Sequence, residues 1–162
     1  MPDVAGRTDA VRVAIASAEA MRELGRRIGD RSRAGDLVVL TGLLGAGKTV
    51  VAQGIGAGLG VAGPVTSPTF VIARVHRDGR LPFVHVDAYR LGGIDEVDDL
   101  DLDTELAESV TAVEWGGGLV ERLSDAHLRV DLDRRDDDVR DVVLTATGER
   151  WTRDDLAVIA GS

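Results

Sequence analysis

The chain has 162 residues, a formal net charge of −9, 3% aromatic residues and no cysteine. That length suits one compact domain with a core of its own, and the lack of cysteine excludes disulfides, thiolate nucleophiles and Cys-based metal centres. The acidic balance argues against a self-sufficient nucleic-acid surface, which needs clustered Lys and Arg, but it is compatible with work beside a basic partner.

Low aromatic content likewise argues against base stacking as a main function. Apolar runs are of strand length and fall short of a membrane span. The N-terminus has acidic residues and no apolar core of signal-peptide length. A soluble, cytoplasmic protein with no membrane association is therefore expected.

Residues 1–10 read as a flexible tail. Residues 11–162 read as a single domain, because no repeat or linker interrupts them. A short strand is expected over 11–15. Ser17 then caps a helix whose apolar face is Met21, Leu24 and Ile28. Residues 36–42 form a buried strand that runs into a glycine-rich turn, and a helix follows over 48–59. That helix carries Gly54, Gly56 and Gly58, each costing about 1 kcal/mol against alanine. Either a neighbouring element packs closely there, the reading preferred here, or the helix is deliberately loose behind the turn.

Further on, 70–77 and 80–89 read as strands joined by a tight turn at Asp78-Gly79. Residues 110–115 read as a buried strand, followed by a short helix that begins at Gly116. Residues 127–134 and 139–148 alternate like an antiparallel pair, and 153–160 close the chain as a helix. Together these elements give an α/β fold, a P-loop NTPase-like three-layer sandwich with a mixed, partly antiparallel sheet.

The turn is the most informative stretch. Gly42-Leu-Leu-Gly-Ala-Gly-Lys48-Thr49 matches G-x-x-x-x-G-K-[ST], the P-loop. Glycines let successive backbone N–H groups converge on phosphate oxygens, and the following helix turns its positive end towards the same anion. Lys48 reaches the β- and γ-phosphates, and the Thr49 hydroxyl is placed for Mg²⁺. Lys48 is also the chain's single lysine; the other 18 basic residues are arginine. A forked guanidinium does not replace a slim ammonium inside a tight loop, so the lysine is explained by phosphate chemistry.

A P-loop needs a further carboxylate near the metal, at the end of a buried strand. Asp87 and Glu114 both end apolar strands at the expected edge, and one or both should touch Mg²⁺. Residues 66–70, Thr-Ser-Pro-Thr-Phe, read as an ordinary turn of fixed chemistry, or as a switch-like segment from which Ser67 or Thr69 approaches the γ-phosphate or Mg²⁺. The acidic stretch from Asp95 to Glu108 reads as a solvated face, or as a docking surface for a basic partner. It lacks the EF-hand's glycine and closing glutamate. His76, His85 and His127 read as strand residues with no shared metal site.

Taken together, "LLGAGKT", "TSPTF", "HVDAYRL" and "VEW", in this order and spacing, resemble the bacterial TsaE family over about residues 17–148. That family is the P-loop ATPase component of the machinery that makes threonylcarbamoyladenosine in tRNA. The resemblance implies that Gly45, Ala46, Gly47, Lys48, Thr49 and Val50 wrap the phosphates of ATP, and that Thr49 and Glu114 ligate Mg²⁺. It implies that Asp87 acts at or near the metal and the attacking water, that Thr69 lies in the switch-like loop and that Trp115 flanks the site. Tyr89 and Arg90 would orient Asp87 and contact the partner assembly, and Arg140 is the candidate basic residue at the nucleotide. This sequence departs from the family in carrying Met21 where a Thr near the adenine is common, and Gly116 to Gly118 where a Pro follows "EW". The implied partners are the other threonylcarbamoylation subunits, with tRNA met only through them. The alternatives are a P-loop small-molecule kinase, with Arg134-Arg135 as its lid, and a non-catalytic nucleotide sensor. A GTPase would need N-K-x-D, which a chain with one lysine, at Lys48, does not contain.

Overall fold

The computed structural model describes residues 8–42, 47–62, 73–87, 107–114, 126–135, 137 and 139–161. Within them, seven strands form one sheet: β1 (Thr8–Ile15), β2 (Leu37–Gly42), β3 (Ala73–His76), β4 (Phe83–Asp87), β5 (Val110–Glu114), β6 (His127–Arg134) and β7 (Arg140–Thr147). Their spatial order is β1-β7-β6-β2-β5-β4-β3. The centre, β6-β2-β5-β4, is parallel. Antiparallel pairs flank it, β1-β7-β6 on one side and β4-β3 on the other. This is the mixed α/β architecture expected, with the P-loop strand near the middle.

Three helices are described: α1 (Ala18–Arg31), α2 (Lys48–Gly58) and α3 (Arg153–Ala160). α1 starts where Ser17 Oγ accepts a hydrogen bond from the Ala20 amide at 3.1 Å. It buries Met21, Leu24 and Ile28, and full burial of such side chains is worth roughly 1.5–3 kcal/mol each. α1 packs on α2 on one side and α3 on the other. These helices share a core with Val38, Leu40, Ala112, Leu128, Val130 and Leu144 on one face of the sheet. On the other face of β2, β4 and β5, Leu37, Val39, Val84, Val86 and Val113 are buried as well. Both faces of the parallel segment are thus removed from water, as a parallel sheet requires.

The crossing of α1 and α2 explains the glycines. A Cβ at Gly54 would meet the Arg22 carbonyl and stand 2.9 Å from the Gly25 Cα and the Arg26 amide nitrogen. Gly29 and Gly58 repeat the arrangement one turn on. Close packing, rather than looseness, accounts for Gly54 and Gly58.

Two expectations need correction. Thr8 to Ala10 do not belong to a tail; they pair with Thr147 to Thr145 as the start of β1. The β3–β4 connection is not a two-residue turn either, because His76 pairs with Phe83 and 77–82 lie between. That longer loop is drawn onto the end of α2. The Arg80 amide donates to Leu59 O at 2.7 Å, and Asp78 accepts from the Ala62 amide at 2.9 Å. Arg80 Nη2 also donates to Gly29 O and Ser32 O, closing the end of α1. Among the described residues, no helix is long and apolar enough to cross a membrane.

Candidate functional site

β2 delivers the chain to the candidate site from the middle of the sheet, and α2 carries it away. Gly47, the residue before α2, has φ 110° and ψ 14°, a left-handed conformation that glycine adopts without penalty. A Cβ there would lie 3.6 Å from Met21 Cγ. No side chain caps α2 at Gly47, and its first turn has no acidic residue. The first amides of a helix have no partner inside it, so the start of α2 presents N–H groups and a positive dipole end to an anion.

Lys48 follows at once. It is 4% exposed, and its Nζ donates to Gly42 O at 2.7 Å. The ammonium therefore folds back across the loop to the end of β2. Thr49 and Val50, next along α2, are half-buried. Gly45, Ala46, Ser67, Thr69, Tyr89, Arg90, Trp115 and the helix expected from Gly116 lie outside the described residues, as does the acidic stretch from Asp95 to Glu105. Glu108 is exposed.

Asp87 and Glu114 are Cα partners at the last positions of β4 and β5, and Glu114 is also the partner of Leu40 on β2. The topology thus brings both candidate carboxylate residues to the strand ends beside the loop. Glu114 is 4% exposed. Its Oε2 lies 2.5 Å from Nε2 of His85, which is fully buried.

His85 was missed as a functional candidate. It lies two residues before Asp87 and is the Cα partner of Ala112, two before Glu114. The signal was the period of two, which puts His85 and Glu114 on one face once β4 and β5 are known to be neighbours. A ladder of rings continues away from the site, with His85 6.1 Å from Phe83 and Phe83 6.0 Å from His76. Burial pushes the His76 pKa down, assisted by the Arg74 charge.

On the opposite face of β2, the Thr41 hydroxyl donates to Asp131 Oδ1, which also accepts from Arg129 Nε at 2.8 Å. This ties β2 to β6 just before the loop begins. Arg140 lies farther off. It opens β7 opposite Arg134 of β6, and β6 separates its strand from β2. Met21, at the position where a Thr is common in the family, is 2% exposed and packs over Gly47.

These features fit a nucleotide phosphate and a hard cation. An uncapped helix start and a buried ammonium suit phosphate, and a carboxylate with a hydroxyl suits Mg²⁺.

A family model, described as "Threonylcarbamoyl adenosine biosynthesis protein TsaE", matches residues 15–142. The chain belongs to the TsaE family. A TsaE relative from Streptomyces coelicolor is 59% identical over 149 residues, 87% of this chain and all of that one. One from Mycobacterium tuberculosis H37Rv is 55% identical over 120 residues, covering 68% and 71%. One from Bacillus subtilis 168 is 40% identical over 121 residues, covering 74% and 75%. All three are named as tRNA threonylcarbamoyladenosine biosynthesis proteins. Among solved structures, the fold is similar to Bacillus subtilis YdiB, with a TM-score of 0.77 and 28% identity over 95% of this chain and 96% of that one. The TsaE match spans β2, α2, β4 and β5, the elements that build the site.

Proposed function

We propose that this TsaE-family protein is an Mg²⁺-dependent ATPase that assists the machinery making threonylcarbamoyladenosine in tRNA. Hydrolysis drives a conformational or resetting step in the partner subunits, not the transfer of the threonylcarbamoyl group. The observation that carries this reading is the convergence at one sheet edge. A buried lysine folded onto Gly42 O, an uncapped helix start and the buried Glu114 carboxylate meet beside the strand that feeds the loop.

In this reading the amides from Gly45 to Val50 and the Lys48 ammonium bind the phosphates, and Lys48 stabilises the charge that develops in transfer. Glu114 and the Thr49 hydroxyl hold Mg²⁺. When bound, the ion neutralises charge on the β- and γ-oxygens. Asp87 orients the attacking water, Thr69 approaches the γ-phosphate, and Trp115 flanks the nucleotide. The net charge of −9 leaves tRNA to the other subunits. In the kinase alternative, Arg135 of the lid would have to leave Asp137 at 2.8 Å and Asp141 at 3.5 Å.

The test is ADP release by purified protein with ATP and Mg²⁺, alone and with the other threonylcarbamoylation subunits. Slow release that rises with the partners is expected. Release that depends on a small acceptor, with no effect of the partners, would establish the kinase instead.

A further inference from the structure

Full burial of an imidazole is expensive unless its polar atoms are used. At His85 a phenylalanine would continue the ring ladder without that expense. His85 instead places Nε2 2.5 Å from Glu114 Oε2, while its Nδ1 is buried with no hydrogen-bond partner among the described residues. Of the two neutral tautomers, one fits these surroundings. A proton on Nε2 donates to the carboxylate and leaves Nδ1 as a bare acceptor. A proton on Nδ1 would orphan a buried N–H and set the Nε2 lone pair against a carboxylate oxygen, losing on both counts.

We infer that His85 is the positioning residue for Glu114: its Nε2–H holds Oε2 and leaves Oε1 as the atom offered to the metal. The inference rests on the reading of Glu114 as the Mg²⁺ ligand. Two observations set the geometry. Register makes His85 the diagonal neighbour of Glu114 on the same face, and full burial leaves the ring no freedom to swing away. A glutamate alone has three rotatable bonds; pinned at one oxygen, its carboxylate waits in a single orientation, and ion binding does not have to order it. Outer partners that orient a metal's ligands are typically worth about tenfold to a hundredfold in metal affinity.

The test is calorimetric titration of ADP with and without Mg²⁺ for wild type, His85→Leu, His85→Asn, His85→Gln and Glu114→Gln. Glutamine can carry an N–H to the position of imidazole Nε2, whereas asparagine reaches only the Nδ1 position. The Mg²⁺-dependent gain in ADP affinity should fall about tenfold or more in His85→Leu and His85→Asn, and His85→Gln should recover most of the wild-type gain. ADP affinity in EDTA should not change. An unchanged gain in Leu and Asn, or an equal loss in Gln, overturns the inference. If Glu114→Gln itself keeps the wild-type gain, Glu114 is not the ligand, and that reading fails first. Nitrogen-15 spectra of the wild-type imidazole supply a check independent of folding in the variants: Nε2 should be protonated and Nδ1 bare, and a proton found on Nδ1 alone overturns the assignment.

Discussion

Asp87 and Glu114 stand opposite one another as Cα partners at the ends of adjacent parallel strands. One register position thus holds two acidic residues, beside the strand that enters the P-loop. Equivalent placement does not require equivalent work. Loss of a direct metal ligand should weaken the Mg²⁺ dependence of nucleotide binding, whereas loss of a water-orienting group should spare binding. Glu114→Ala is expected to do the first and Asp87→Ala the second, each lowering ATP hydrolysis by about 100-fold or more. Calorimetry of ADP with and without Mg²⁺ separates them; if only Asp87→Ala alters the Mg²⁺ dependence, the roles are exchanged.

Lys48→Arg keeps the charge and should still fail. The ammonium is 4% exposed and already bonded to Gly42 O, so a broader guanidinium must displace the loop or the phosphate. Misplacement by about 1 Å can cost about 100-fold in rate. A loss of that order is expected in steady-state ATPase assays with the partners present, with an unchanged circular dichroism spectrum. The control is Arg26→Lys, on the exposed side of α1 between Glu23 and Asp30, which should be silent. Wild-type turnover by Lys48→Arg would refute the steric argument.

Gly54→Ala should destabilise the fold by about 2 kcal/mol, within the usual range for overpacking. The added methyl meets backbone of α1, which cannot rotate aside as a side chain would. Urea denaturation measures this, and a midpoint equal to wild type would show that the two helices slide apart freely.

Trp151 is 1% exposed and lies beneath the Arg150 guanidinium, 4.3 Å from its ring centroid. It should contribute constant background fluorescence. In Trp151→Phe, the remaining Trp115 emission should change as ADP and Mg²⁺ are added. A flat trace, with binding confirmed by calorimetry, would place Trp115 away from the nucleotide.

Asp155 ties the start of α3. Burial works to raise its pKa, but hydrogen bonds from the Thr152 amide and hydroxyl, with Arg31, outweigh it and hold the value below the ordinary 3.8. Because the folded pKa is depressed, the contribution to stability is present above about pH 4 and is lost as pH falls through the folded value. Asp155→Asn should therefore cost stability at pH 7, by roughly 1 kcal/mol for a cap of this kind, and much less near pH 2. An equal cost at both pH values would exclude a role for the charge.

Much of the fold was legible because burial leaves a period in the sequence. The cap at Ser17, the strand 127–134 and the helix 153–160 match the observed elements. The G-x-x-x-x-G-K-[ST] motif can be read from sequence alone, since its residues are adjacent in the chain. The His85–Glu114 contact was not, because it depends on which strands are neighbours. Pairing is decided by the whole sheet, and two residues 29 apart in sequence carry no local mark of it. The Asp78-Gly79 turn misled for a related reason. Its dipeptide suits a tight hairpin, yet tertiary bonds to Leu59 and Ala62 hold a longer loop. Arg140 opens β7, and the sheet sets that strand two away from β2.

With a single lysine, the chain has a single side-chain amine, and that amine is buried against Gly42 O. Reagents that acylate exposed amines therefore find no lysine on the outer surface, and trypsin must cut the unfolded chain almost wholly at arginine. Acylation of Lys48 becomes a clock for its exposure: it can proceed only as fast as the ammonium leaves Gly42 O and meets solvent. Cross-linking through surface lysines will pass this protein by, and carboxylate- or arginine-directed reagents are better placed to map its contacts.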